Sequence, residues 1–134
     1  MVTEIELVLR LILAFALSGL VGFEREVALK PAGLRTHILV GLGSALITIL
    51  SLYAFPGSDS ARVAASIIVG IGFLGAGTII KTKDKVIGLT TAASLWITAS
   101  IGVATGAGFY SIAIITTIVA YLVLKLWMFE RTPR

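Results

Sequence analysis

An all-α integral membrane bundle is what this sequence predicts, with five transmembrane helices, the N-terminus outside and the C-terminus cytoplasmic. Composition comes first. Hydrophobic residues make up 57% of the 134 and charged residues 13%, against about 25% charged in a typical soluble domain, and mean hydropathy is +1.05. The arrangement of charge comes second, because long uncharged runs are separated by short basic clusters. Third is the run after Arg62. Val63 to Ile80 is uncharged, carries Gly70, Gly72, Gly75 and Gly77, and stops at Lys81-Thr82-Lys83-Asp84-Lys85. About 18 uncharged residues can cross a bilayer as a helix. Glycines this dense weaken a soluble helix by roughly 1 kcal/mol each, whereas in a membrane they let neighbouring backbones approach closely.

The N-terminal stretch Met1-Val2-Thr3-Glu4-Ile5-Glu6 is acidic and no small-residue cleavage site follows it, so no removed signal peptide is expected. The first span is expected over about 5–23, with Arg10 inside it and Glu24-Arg25-Glu26 at its end. Pro31, in a polar link with Lys30, Gly33 and Arg35, opposes a continuous helix. The second span covers about 36–55 and ends at the turn-rich Pro56-Gly57-Ser58-Asp59. The third covers 63–80. Val86 to Leu124 is then about 39 uncharged residues, roughly 58 Å as one helix. That is nearly two bilayer cores, so it must fold back, and Thr105-Gly106-Ala107-Gly108 is the natural hairpin. The fourth span is expected over about 86–104 and the fifth over about 109–128. The whole of 1–134 reads as one transmembrane domain.

Orientation follows from lysine and arginine. Arg25, Lys30, Arg35, Lys81, Lys83, Lys85, Lys125, Arg131 and Arg134 all fall on one side of a five-span arrangement, and only Arg10 and Arg62 on the other. The net charge of +4 therefore reads as span-flanking charge that touches anionic lipid, not as a nucleic-acid surface. Trp127 at the cytoplasmic end, with Tyr53 and Tyr110 at the outer ends, suits an aromatic belt. Trp96 falls mid-span, packed or lipid-facing. An offset of 55 pairs Gly22 with Gly77, Lys30 with Lys85, Gly33 with Gly88, Leu34 with Leu89 and Thr36 with Thr91, which suggests two similar hairpins in parallel orientation.

No catalytic, metal or cofactor site is expected. Zero cysteines exclude disulfides and thiolate chemistry. Gly70-Ile71-Gly72-Phe73-Leu74-Gly75 matches the dinucleotide fingerprint, but it lies mid-membrane and 20 residues past Gly75 stands Leu95 in place of an acid. These glycines, with Gly77, read as helix-packing surface. They occupy two faces, which predicts a central helix.

The polar candidates are Glu24, Arg25, Arg35, Thr36, His37, Arg62 and Thr91. Glu24 either belongs to a solvated collar with an internal ion pair, or pairs with Arg35, or holds a cation. Two acids are few for Mg²⁺, which keeps several waters beside one or two carboxylates. Arg62 either snorkels, with Asp59 as a local partner, or is functional. Glu6 stands one turn before Arg10 as an i,i+4 partner. Thr91, Ser94, Thr98 and Gly102 form a polar stripe, for packing or for a hydrophilic path. The lone His37 makes no metal site; a hydrogen bond at the interface suffices.

Four ordered blocks across about residues 5–125 resemble the membrane domain of the MgtC/SapB family. They are Gly22-Phe23-Glu24-Arg25; Ala32-Gly33-Leu34-Arg35-Thr36-His37 with Leu39-Val40-Gly41-Leu42-Gly43-Ser44; Arg62-Val63-Ala64-Ala65 with Gly70 to Gly77; and Gly88-Leu89-Thr90-Thr91-Ala92-Ala93 with Trp96. The resemblance implies a multi-pass protein of the bacterial inner membrane, tied to growth in low magnesium and, in pathogens, to survival inside macrophages. It implies action by contact with membrane partners, with the proton-driven ATP synthase as candidate and a homodimer as the expected assembly. Members of the family are not regarded as magnesium transporters themselves. The rival expectation is a small oligomeric transporter or channel. Two features depart from the family pattern. The cytoplasmic C-terminal domain resembling ACT domains is not expected here, since the sequence ends at Arg134, and position 66 is serine where a longer polar residue is common.

Overall fold

Helix α1, Glu4–Val27, begins where the Thr3 hydroxyl accepts the Glu6 amide at 3.2 Å. Glu4 and Glu6 in its first turn and Arg25 in its last complement the helix dipole. These details come from a computed structural model that describes residues 1–130. After the Pro31 link, α2 runs Leu34–Tyr53, and the Glu26 carboxylate accepts the Leu34 amide at 2.9 Å. Helix α3, Ser60–Ala76, is capped by Asp59, whose Oδ1 accepts the Ala61 amide at 3.0 Å.

Helix α3 stops short of Ile80, the expected end of the third span. Gly77 is a poor helix former, and the Thr78 hydroxyl donates back to the Gly75 carbonyl at 2.8 Å. The chain then forms a two-residue antiparallel ladder, β1 (Ile80–Lys81) against β2 (Val86–Ile87), pairing Ile80 with Ile87 and Lys81 with Val86. Three of these four residues are β-branched, which suits a strand. Gly88 follows at φ +94°, a left-handed conformation that only glycine adopts without cost. A side chain there would also collide with the Thr78 carbonyl oxygen. Helix α4 therefore starts at Leu89, not Val86, and runs to Gly106. Helices α2 and α4 begin 55 residues apart, each after a glycine, although Gly33 has φ −104°.

Gly108, at φ +87°, turns the chain into α5, Tyr110–Leu124. The expected fifth span to 128 is interrupted at Lys125-Leu126 and resumes as the single turn α6, Trp127–Glu130. The fold is thus all-α apart from the small ladder. Among the described residues, four stretches are long and apolar enough to cross a membrane: α1, α2, α4 and Tyr110–Phe129. Helix α3 has 17 residues, about 25 Å at 1.5 Å per residue, the lower limit for a span.

The central helix is α4, which packs against α1, α2, α3 and α5. Nine of its residues are buried, against only Ile71 and Gly75 on α3. The expectation of a central third helix is therefore corrected. Helix α4 carries Thr91, Ser94, Thr98, Gly102 and Gly106 on its buried surface, and small side chains let four neighbours approach. Val21, Ile101, Ala113 and Leu124 form one apolar cluster, and Ala32, Ile71, Leu95 and Ala99 a second. Outward faces carry large exposed apolar groups such as Phe15, Val69, Phe73 and Ile115, the pattern of a surface solvated by lipid.

Candidate functional site

Two buried polar clusters hold opposite ends of the bundle. At one end, Glu24 and Arg25 on α1 are 3% and 1% exposed. Arg25 Nε donates to Glu24 Oε2 at 2.5 Å and its Nη2 donates to the Leu124 carbonyl at 3.2 Å. Trp127 Nε1 donates to Glu24 Oε1 at 2.9 Å. Both Glu24 oxygens are thus occupied, which ties the end of α1 to the end of α5. A buried ion pair is costly to desolvate, but losing one partner is far costlier, about 3–5 kcal/mol.

This arrangement differs from the expected alternatives at Glu24. The collar is buried rather than solvated, though the internal ion pair is present. It is Glu26, not Glu24, that reaches the second helix, through the Leu34 amide. Arg35 and Thr36 sit exposed on the first turn of α2, and Arg35 makes no ion pair among the described residues.

His37, in the first turn of α2, is fully buried. Its Nδ1 lies 2.8 Å from the Gly33 carbonyl and its Nε2 2.9 Å from Ser94 Oγ. A carbonyl can only accept, so Nδ1 carries the proton. In the neutral ring Nε2 is an acceptor for the Ser94 hydroxyl, whose single proton is shared with the Thr91 carbonyl at 2.7 Å. His37 therefore pins α2 to the first turns of α4, where Thr91 is also buried. Farther along, the hydroxyls of Thr98 and Thr105 donate to the carbonyls of Ser94 and Ile101, both at 2.7 Å. The polar stripe of α4 is satisfied within its own helix and by His37.

The opposite cluster centres on Arg10. Its guanidinium donates to Glu6 Oε1 at 2.6 Å, Tyr110 Oη at 3.0 Å, Tyr53 Oη at 3.1 Å and the Gly106 carbonyl at 2.8 Å. Tyr110 in turn donates to Glu6 at 3.0 Å. The guanidinium carbon lies 5.6 and 5.8 Å from the two tyrosine ring centroids, within cation–π range. One side chain thus joins α1, the end of α2 and the α4–α5 turn. The expected Glu6–Arg10 pair is present, while the two tyrosines, expected as a simple interfacial belt, are tied to a buried cation. An arginine within an apolar span, near the same end as two tyrosines, was the trace of this cluster in the sequence.

Arg62 is exposed and lines a cavity of about 340 Å³ with Ser51, Asp59 and Ser66. Asp59 caps α3, and no Asp59–Arg62 ion pair occurs among the described residues. The buried Ser51 hydroxyl has no hydrogen-bond partner among the described residues.

The glycines in tight contact are not those expected. Nothing lies within 4 Å of a side chain built on Gly70 or Gly72; Gly75 meets Ala92 at 3.5 Å, and Gly77 meets only carbonyls of its own helix end. Close approach occurs instead at Gly22 against Leu34 and His37, Gly41 against Ser18, Gly102 against Gly41 and Ser44, and Gly106 against Ala45 and Thr48.

These contacts also sort the charges. Residues 24–34 lie with 124–127 at one end, and the loop from Gly77 to Ile80 joins Pro31 and Ala32 there. Arg25, Lys30, Arg35, the lysines of the β1–β2 hairpin and Lys125 therefore share one end of the bundle. Arg131 and Arg134 lie outside the described residues. No three of His, Cys, Asp and Glu gather as metal ligands among the described residues.

A profile of the MgtC family matches residues 11–130. Similar proteins include YhiD of Escherichia coli strain K12, whose given name proposes a magnesium transporter. It is 44% identical over 130 residues, covering 91% of this chain and 60% of that protein. Protein MgtC of Brucella abortus strain 2308 is 50% identical over 105 residues, 78% of this chain and 44% of its own. Protein SapB of Bacillus subtilis strain 168 is 43% identical over 114 residues, 78% and 49%. The chain thus spans about half of these relatives' lengths. No solved structure matches it.

Proposed function

The chain belongs to the MgtC family, and from that membership we infer that it is a non-enzymatic protein of the bacterial inner membrane, serving adaptation to low magnesium through helix contacts with membrane partners. Its multi-pass character follows from the apolar helices. The finer topology belongs to the inference: five spans in one transmembrane domain, α3 among them, with the N-terminus outside and the basic end cytoplasmic. The gathering of lysine and arginine at one end supports that orientation.

One observation carries the contact reading. Apart from the Ser51 hydroxyl, the buried side-chain polar groups among the described residues find partners within the bundle, while large apolar surface faces outward. Glu24, Arg25, His37 and Thr91 brace the bundle; Arg35, Thr36 and Arg62 remain exposed to meet a partner. The proton-driven ATP synthase is the candidate partner, and a homodimer the candidate assembly. Affinity capture of the tagged chain from cells grown in low magnesium tests this. Recovery of ATP synthase subunits, with a changed cellular ATP level on deletion, is expected. Capture without any ATP synthase subunit, and unchanged ATP, would overturn that partner.

The name of YhiD favours the second reading, transport. In a single chain, the hydroxyls of α4 are turned to their own carbonyls, and the space between α2 and α3 is lined by Leu39, Val40, Ile67 and Ile71 among other apolar groups. A path for ions would thus require several copies to build its wall.

A further inference from the structure

Between α2 and α3 the bundle is split by an apolar groove of about 930 Å³. Ile47 and Ile67 lie along it, and Gly43 and Gly70 leave it open, with nothing within 4 Å of a side chain built on either. Arg35 and Thr36 close it at the basic end. The same two residues begin a second cavity, of about 370 Å³, which also holds Lys30 and Glu26. A long apolar trough therefore leads into a polar recess carrying two cations. Glu26, the acid of that recess, accepts the Leu34 amide.

We propose that this continuous recess and groove binds one anionic phospholipid, its phosphate between Lys30 and Arg35 and an acyl chain along the α2–α3 groove. Charge selects the occupant. Neither Lys30 nor Arg35 has an ion pair among the described residues, and basic pockets between helices at the cytoplasmic surface attract anionic headgroups. The α2 dipole points its positive end the same way. A second copy of this chain is a poorer complement. Of its described carboxylates at this end, Glu24 is buried against Arg25, Glu26 holds its own α2, and Asp84 stands between Lys83 and Lys85. The site shares Arg35 and Thr36 with the surface left for a partner and rests on the cytoplasmic placement of the basic end, but lipid retention is read without any partner or ion flux.

Native mass spectrometry of the full chain tests this, with dioleoyl-phosphatidylglycerol or dioleoyl-phosphatidylcholine added to the micelle. Phosphatidylglycerol should be retained roughly 25-fold more strongly, since each of the two basic residues near the headgroup contributes roughly five-fold. Lys30→Gln with Arg35→Gln should bring the preference to within about two-fold, while Lys81→Gln with Lys83→Gln should leave it unchanged. Gly70→Leu, which fills the groove, should reduce retention of both lipids. Excess inorganic phosphate should displace neither. Equal retention of the two lipids by the unaltered chain would overturn the proposal, and that comparison needs no variant to fold. So would an equal loss in the hairpin-lysine variant, unchanged retention in Gly70→Leu, displacement by phosphate, or a dimer that forms only as lipid leaves.

Discussion

A single added methyl group distinguishes the observed packing from the one that glycine spacing suggests. A Cβ on Gly102 would overlap the Gly41 carbonyl oxygen and stand 2.8 Å from Ser44 Cβ and 3.2 Å from the Gly41 carbonyl carbon. Two of those atoms are backbone, so relief requires α2 and α4 to move apart. Overpacking of this kind costs about 1–3 kcal/mol, and a backbone obstacle places Gly102→Ala near the upper end. Glycine to alanine returns up to about 1 kcal/mol of helix preference, leaving a net loss of about 2 kcal/mol. At Gly70 the new methyl meets nothing within 4 Å, so Gly70→Ala keeps only the gain. Thermal unfolding of the purified chain in one detergent should place Gly102→Ala roughly 5–10 °C below the unaltered chain, and Gly70→Ala at or slightly above it. Equal midpoints would refute the close α2–α4 approach. The reverse order would return α3 to the centre of the bundle.

At the basic end, Arg25→Leu strands the buried Glu24 carboxylate and should cost about 3–5 kcal/mol in the same unfolding assay. His37→Leu and Ser94→Ala each break the α2–α4 bridge, so their double variant should be about 1 kcal/mol more stable than the sum of the single losses predicts; strict additivity would show that the bridge contributes nothing. With no native cysteine, orientation is readable from Ser58→Cys and Lys83→Cys: a membrane-impermeant maleimide should label the first in intact cells and the second only after lysis.

Much of this architecture is local and was legible in the residues. Pro31, the turn at Pro56-Gly57, and Gly108 each end a run of apolar residues, so the breaks after α1, α2 and α4 followed. The 55-residue offset placed Gly33–Leu34 and Gly88–Leu89 in register, and both pairs open a helix. Other features depend on how helices rotate against one another, which no single run contains. Both α3 and α4 are rich in small residues, and only packing reveals that Gly102 and Gly106 are covered while Gly70 and Gly72 are open. The clusters at the ends are likewise non-local. Arg10 meets Tyr110 across 100 residues and Glu24 meets Trp127 across 103. The breaks at Gly77 and Lys125 were hidden for another reason: apolar composition continues past the point where the backbone leaves the helix.

Reconstitution into proteoliposomes, with Mg²⁺ and proton entry followed by internal dyes, bears most directly on whether this protein acts by contact or by conduction. The contact account predicts fluxes indistinguishable from those of empty vesicles. Flux that depends on the chain and is lost in Glu24→Gln or Arg35→Ala would contradict it.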